Sequence, residues 1–191
     1  MLIGKQAPDF SCQAIIDGCI KQVSLNDFGG KYKVIFFYPA DFTYVCPTEL
    51  HAFQENYEEF TKRNAVVLGV SVDSVHSHFA WLSIPKQQGG IQGVSYPLLS
   101  DITKNISRTY DVLNEEIGTA WRAVFILDKK NIIQSMLINA NSLGRSTDEV
   151  LRLLDAIQYV ESHGEVCPAN WIVGKKALQP TQEGVKKYFC E

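Results

Sequence analysis

Of the five cysteines in the chain, at positions 12, 19, 46, 167 and 190, Cys46 has the setting best suited to chemistry. It belongs to the run Pro39-Ala40-Asp41-Phe42-Thr43-Tyr44-Val45-Cys46-Pro47-Thr48-Glu49, which follows the apolar stretch Val34-Ile35-Phe36-Phe37-Tyr38. Pro39 stops that strand, and Pro47 suits the first position of a helix, where a missing N–H leaves no gap. Cys46 is therefore expected at about the N-cap, beside the orphan amides and the positive end of the helix. Such a position favours a thiolate, the nucleophilic form of cysteine. Thr43, three residues earlier, offers a hydroxyl to the sulfur or to a substrate. The competing reading is a buried structural cysteine with a threonine in a turn. The conjunction of Pro39, Thr43, Cys46 and Pro47 on one strand-to-helix turn favours the reactive thiol.

A free thiol titrates near ~8.5, so only a few per cent is ionised at neutral pH. Bringing a thiol to ~6 takes about 3.4 kcal/mol, whereas a helix terminus supplies ~0.3–1 and at most ~2 kcal/mol. A cation is thus expected nearby. Arg122 is the candidate, because it begins the apolar run Arg122-Ala123-Val124-Phe125-Ile126-Leu127-Asp128, where a charge needs a reason; an arginine reaching solvent from a strand end is the alternative. Glu49 falls in the first helical turn, where a carboxylate is favourable on dipole grounds alone. His51 is too far round the helix from Cys46 to serve as an obvious base, and His76, His78 and His163 have no metal-ligand spacing with the cysteines. No metal and no cofactor are expected.

The pattern Pro39-x-x-x-Thr43-x-x-Cys46 closely resembles the active-site signature of the peroxiredoxins. Glu165-Val166-Cys167-Pro168, ending in Trp171, is similar to the resolving-cysteine segment of the typical two-cysteine subfamily, which includes alkyl hydroperoxide reductase C and thioredoxin peroxidase. The resemblance runs from Pro8-Asp9-Phe10 to the tail. It implies a thiol-dependent peroxidase for hydrogen peroxide and organic hydroperoxides, with Cys46 as the attacking thiol and Cys167 as the thiol that resolves its sulfenic acid. It implies that Arg122 contacts the Cys46 sulfur and that Pro39 shields it. Glu49, with Arg145 of Gly144-Arg145-Ser146-x-Asp148-Glu149, is implied to orient Arg122. The implied partners are a second subunit joined by a Cys46–Cys167 disulfide, a ring oligomer (a decamer), and a thioredoxin-like or flavoprotein disulfide reductase. Tyr188-Phe189 matches a tail element that makes some members sensitive to inactivation by peroxide. The companion Gly-Gly-Leu-Gly element is imperfect, being Gly89-Gly90-Ile91-Gln92 with Gly93 displaced by one.

Composition narrows the field independently. With 191 residues, 46% hydrophobic and 20% charged, and a net charge of −3, the chain suits one globular domain with a sizeable core. A slightly acidic balance without a Lys/Arg block gives no support for nucleic-acid or membrane binding. No apolar stretch approaches ~18 residues. The N-terminal residues lack a basic segment followed by an apolar one, and the odd cysteine count without short-spaced pairs argues for a reducing compartment. A mature cytoplasmic protein is expected. Cys12 and Cys19 read as inert, and Cys190 carries no assignable role.

The elements that must position Cys46 follow from the periodicity. Lys21 to Leu25 alternates weakly as a strand, with Asn26 able to cap a turn; Lys33 to Tyr38 and Ala65 to Val72 read as buried strands. Leu50, Phe53, Tyr57 and Phe60 fall at helical spacing. Ser74 to Leu82 and Asp101 to Val112 are expected helices capped by Ser74 and Asp101. Arg122–Asp128 and Ile132–Ile138 pair through Lys129-Lys130-Asn131. Thr147 to His163 is the strongest helix, with Gly164 ending it. This order supports an α/β layered fold. The resemblance sharpens it to a thioredoxin-like fold, a central mixed sheet flanked by helices. The expected division is a peroxidase domain at 1–164 and an extended tail at 165–191, whose Trp171, Tyr188 and Phe189 make it too apolar for a free linker.

Two other classes compete. A cysteine hydrolase needs a histidine and an Asn or Asp near the thiol, and would cleave an ester rather than consume peroxide. A non-enzymatic oligomeric chaperone would keep its aggregation protection when Cys46 is replaced by serine.

Overall fold

The computed structural model describes residues 1–190. Two compact units divide after Thr147, so most of the long helix goes with the tail rather than with the sheet.

In the first unit, nine strands and four α-helices follow in order: β1 (Ser11–Ile16), β2 (Cys19–Ser24), β3 (Tyr32–Phe37), α1 (Cys46–Glu55), α2 (Tyr57–Lys62), β4 (Ala65–Ser71), α3 (Val75–Leu82), β5 (Leu98–Ser100), α4 (Asn105–Thr109), β6 (Leu113–Asn114), β7 (Thr119–Ala120), β8 (Arg122–Leu127) and β9 (Ile133–Asn139). Seven strands form one sheet in the order β2-β1-β5-β4-β3-β8-β9, and β6 pairs β7 separately. The centre, β5-β4-β3, is parallel; β1, β2, β8 and β9 flank it antiparallel. Every residue of β3, β4 and β8 is buried, which explains why they are apolar except for Lys33, Ser71 and Arg122. The architecture is the thioredoxin-like α/β arrangement expected, a mixed sheet with flanking helices.

One face of the sheet carries Ile35, Phe37, Leu68, Val70, Phe125 and Leu127 against Ile106 and Tyr110. On β3's other face, Phe36 stacks on Phe53 of α1 at 4.3 Å between ring centroids. Gly69 of β4 makes this possible, since a Cβ there would meet Phe36 and Leu98 at 3.0 Å. Leu50, Phe53 and Phe60 are fully buried, each such side chain contributing about 1.5–3 kcal/mol. These contacts press α1 onto the strand whose end leads to Cys46.

Local expectations fare unevenly. Ser74 caps α3 by accepting from Ser77 N, and β8 and β9 pair as a hairpin with Asn131 at φ 62°. The helix after Cys46 breaks at Asn56 into two pieces. The helix expected over Asp101–Val112 is only α4, because Lys104 takes a left-handed φ of 61°; Asp101 still accepts from Ile106 N and Ser107 N. The turn Leu25–Phe28 is capped by Ser24 with Asp27, not by Asn26.

The second unit begins within α5 (Thr147–His163), whose bounds match expectation. Arg152 pairs with Glu149 at 2.6 Å and donates to the Trp171 carbonyl. Tyr159 stacks on His163, packs against Trp171 and donates to Glu165. Val166 and Leu178 form a two-way backbone bridge. The tail holds a further helix, α6 (Gln182–Cys190), unforeseen because its polar residues form no long apolar stripe. Residue 191 lies outside the described residues.

Candidate active site

Cys46 is the first residue of α1 rather than its cap. Val45 holds the N-cap position with helical angles and Pro47 is second, a shift of one residue that keeps the sulfur at the positive end of the helix. Cys46 is fully buried.

Two arginines and one carboxylate surround it. Arg122 Nη1 donates to Cys46 Sγ at 3.3 Å and to Glu49 Oε2 at 2.6 Å, while its Nε is fixed by the Asn141 carbonyl at 2.8 Å. Arg145 grips Glu49 from the other side, with Nε to Oε1, Nη2 to Oε2 and its backbone N to Oε1 at 2.7–2.9 Å. Its Nη1 reaches the carbonyls of Phe37 and Ala123, cross-strand partners at the end of the β3–β8 pair. All three charged residues are nearly inaccessible to solvent. Two guanidiniums against one carboxylate leave one positive charge over. A thiolate at Cys46 makes the set neutral, which is the pairing a dry site demands.

Arg122, Glu49 and Arg145 are therefore brought together around Cys46 as the sequence reading expected. Thr43 Oγ donates to the Ala40 carbonyl at 2.9 Å, which leaves its oxygen to accept from a ligand, and Pro39 is buried beside the end of β3. Cys46 Sγ is not bonded to any histidine. His51 Nε2 lies 3.0 Å from the Gly90 carbonyl, His78 pairs with Asp41 at 2.8 Å, and His163 Nδ1 contacts Ser162. A hydrolase arrangement is thus lacking among the described residues.

The loop before Cys46 has an anchor that sequence reasoning missed. Asp41 accepts from Tyr38 Oη, Ser77 Oγ and His78 Nδ1, and its own amide donates to Asp73 Oδ2, all at 2.8–2.9 Å. His78 Nε2 meets the Leu99 carbonyl at 3.2 Å. Burial first, then the adjacent Asp41, holds the Tyr38 phenol well above its ordinary range, so it stays a donor. The signal was present: a carboxylate directly after a fully buried strand needs partners.

Cys167 lies in the second unit, half-buried, with Sγ 3.8 Å from the Ala156 carbonyl. Burial raises its pKa, opposed by Arg152 and assisted by Glu165. Tyr188 and Phe189 sit on α6 with their rings edge-on at 5.3 Å, and Phe189 is 79% exposed. Burial and Asp101 push the Cys12 thiol up to about 12, in keeping with an inert residue; Cys19 and Cys190 are exposed.

Comparison with known proteins agrees with this geometry. The AhpC/TSA family profile matches residues 3–136, and a profile described as the C-terminal domain of 1-Cys peroxiredoxin matches residues 156–190. The chain is 48% identical to peroxiredoxin-2 of Mus musculus over 189 residues, covering 99% of this chain and 96% of that one. It is 50% identical to the chloroplastic 2-Cys peroxiredoxin BAS1 of Hordeum vulgare over 190 residues, covering 99% and 90%. The reduced 2-Cys peroxiredoxin of Plasmodium vivax superposes with a TM-score of 0.97 at 44% identity over the full length of both chains. The chain belongs to the AhpC/TSA family and is a typical two-cysteine peroxiredoxin, an enzyme that reduces peroxides.

Proposed function

We propose that Cys46 is the thiol that attacks peroxide and that Cys167 of a partner subunit resolves it. The observation that carries the first half is the 3.3 Å contact from Arg122 to the Cys46 sulfur, inside a buried set short of one negative charge. The Cys46 thiolate attacks the terminal oxygen of a hydroperoxide as the O–O bond breaks. The sulfur is oxidised to sulfenic acid, and hydroxide or alkoxide leaves and takes up a proton. Arg122 and the Cys46 amide at the helix start stabilise the two oxygens as they separate, while the Thr43 oxygen accepts from the O–H of the hydroperoxide and orients it. Pro39 keeps water and excess oxidant from the sulfenic acid. Glu49 and Arg145 hold Arg122 in place.

The Cys167 thiol then condenses with the sulfenic acid, forming the disulfide and releasing water. An external dithiol protein, thioredoxin-like or a dedicated flavoprotein reductase, restores both thiols. A thioredoxin peroxidase of Echinococcus granulosus at 48% identity supports a thioredoxin-like donor. The Cys46–Cys167 pairing between subunits makes the protein a homodimer that assembles into a decameric ring. Relatives include chloroplastic and mitochondrial forms, so the cytoplasmic reading rests on the cysteine usage alone. No described helix is long and apolar enough to cross a membrane.

The test is peroxidase turnover coupled to thioredoxin and its reductase. Cys46→Ser is expected to abolish it. Cys167→Ser is expected to give one stoichiometric reduction and a sulfenic acid trapped by dimedone. Substantial thiol-dependent turnover in Cys46→Ser would overturn the assignment.

A further inference from the structure

The segment that carries Cys167 lies along one face of α5. Val166 forms its two-way bridge with Leu178 in extended backbone, so Glu165 and Cys167, two residues apart, point to the same side. That side meets the helix. Tyr159 Oη donates to Glu165 Oε2 at 2.6 Å, and Cys167 Sγ lies 3.8 Å from the Ala156 carbonyl. One turn back along α5, Arg152 Nη1 donates to the Trp171 carbonyl at 3.0 Å. The sulfur therefore sits between a carboxylate and a guanidinium, with a carbonyl facing it. A carbonyl only accepts, so this contact suits the thiol and not the thiolate.

Both charges are held in place. Gln179 Nε2 donates to Glu165 Oε1 at 3.0 Å and completes the grip begun by Tyr159. Arg152 Nε and Nη2 fork onto Glu149 at 2.6 and 2.8 Å. The other titratable groups nearby act elsewhere: His163 stacks on the Tyr159 ring, Lys175 takes part through its backbone carbonyl, and Lys176 lies over the Tyr188 ring. Burial raises the Cys167 pKa; Arg152 opposes that rise and Glu165 adds to it. The hydrogen bond to Glu165 also raises the Tyr159 phenol, which stays a donor.

We propose that Glu165 and Arg152 are positioning residues of the second chemical step, acting on Cys167 as opposed charges. This rests on the reading of Cys167 as the resolving thiol. In that step the Cys167 sulfur loses its proton and attacks the sulfur of the Cys46 sulfenic acid. The S–S bond forms, the S–O bond breaks, and the departing hydroxide takes up a proton to become water. Only the thiolate attacks. Glu165 holds back its formation and Arg152 assists it. A thiol kept protonated is also a poor nucleophile toward peroxide, so the balance reserves the first oxidation for Cys46.

The experiment uses the full-length reduced protein and follows Cys167 from about pH 6 to 10 in two ways. One is alkylation by iodoacetamide, read at the Cys167 peptide by mass spectrometry. The other is stopped-flow formation of the Cys46–Cys167 disulfide after one equivalent of hydrogen peroxide. Glu165→Gln keeps the size and an accepting oxygen but removes the charge. At pH 7 it is expected to raise both rates about 2- to 5-fold, the effect of one solvent-screened charge a few ångströms away, less the loss of intrinsic nucleophilicity. Once both proteins are fully ionised the order is expected to reverse, because nucleophilicity falls with thiol pKa. Arg152→Gln is expected to slow both rates at pH 7, and Arg152→Lys to restore most of the wild-type profile. A change by the same factor at every pH would mark a merely structural role and overturn the proposal. So would an alkylation profile that shifts while the disulfide rate does not. The two neutral variants move in opposite directions, so either decides the question if the other does not fold. If wild type itself forms no Cys46–Cys167 disulfide, it is the functional reading that fails, whatever the alkylation profiles show.

Discussion

Glu49 holds two arginines with one carboxylate, so its replacement exposes how the site is balanced. In Glu49→Gln, Arg122 and Arg145 would remain buried with their shared counter-charge gone. Removing one partner of a buried pair typically costs about 3–5 kcal/mol. Glu49→Gln is therefore expected to lower the midpoint of chemical denaturation clearly, and to reduce the rate of the first oxidation because Arg122 loses its 2.6 Å brace. Arg122→Met acts on the sulfur and the substrate instead. It should cut the rate of the first oxidation by roughly 10²–10³-fold, the usual effect of removing one donor from a developing anion, with a smaller loss of stability. Equal rates for Arg122→Met and wild type would show that its contact with Cys46 is only structural. Asp41 belongs to this scale too. It bonds no reacting atom, yet it ties the loop bearing Thr43 to Asp73, just past the end of β4, and to α3.

Among the elements, β3 contains one misfit. Lys33 lies near the start of the fully buried β3, opposite Leu127 and Val66, and its Nζ has no hydrogen-bond partner among the described residues. Burial lowers its pKa, and Asp128 offsets only part of the effect. The unfolded chain therefore binds the Lys33 proton more tightly than the folded one. Stability from this position is present above the ordinary lysine value of ~10.4 and is lost as pH falls through the depressed folded value. Lys33→Met removes that deficit. It is expected to stabilise the protein by about 1–3 kcal/mol at pH 7 and by less at pH 10.5, measured by guanidinium unfolding. A gain of equal size at both values would mean that side-chain packing, not charge, is responsible. The penalty at Lys33 also shows that the central strands tolerate a misfit at the end of β3 remote from Cys46.

For the whole molecule, the proposed resolving thiol Cys167 lies in the second unit, so the predictions at this scale test that assignment. The oxidised protein is expected to migrate as a disulfide-linked dimer on a non-reducing gel and Cys167→Ser as a monomer. Monomeric migration of oxidised wild type would indicate an intrachain bridge, and a dimer persisting in Cys167→Ser would implicate Cys12, Cys19 or Cys190. We propose that the tail also bears on regulation. On this proposal, a tail element packed over the first turn of α1 would slow its opening, and the resemblance of Tyr188-Phe189 to such an element motivates the test. Deleting residues 185 to 191 is expected to raise the peroxide concentration needed for inactivation. From the Gly89-Gly90-Ile91-Gln92 departure from the companion element we expect intermediate sensitivity, and an unchanged inactivation rate after deletion would leave the tail a cover without regulatory effect.

What the sequence determined by itself was local or motif-borne. The runs of β3, β4 and β8 are legible because strands buried on both faces must be continuously apolar. Thr147–His163 is legible because one helix carries its own cap, stripe and terminating glycine. Cys46 could be placed within one residue of the helix start, because two prolines bracket the turn. The motif resemblance, not periodicity, singled out Arg122, Glu49 and Arg145 together. What the tertiary structure decided depends on groups far apart in the chain. Periodicity does not show that Arg145 meets the carbonyls of Phe37 and Ala123, that Asp41 finds His78, or that His51 reaches Gly90. The short strands β5, β6 and β7 exist because partners pair with them, and two or three residues carry no readable alternation. Helix α4 starts late because Lys104, at its N-cap, adopts a left-handed turn that a periodic pattern does not register. A single chain writes its buried strands in composition, but the hydrogen bonds that hold a reactive thiol are settled only when distant segments meet.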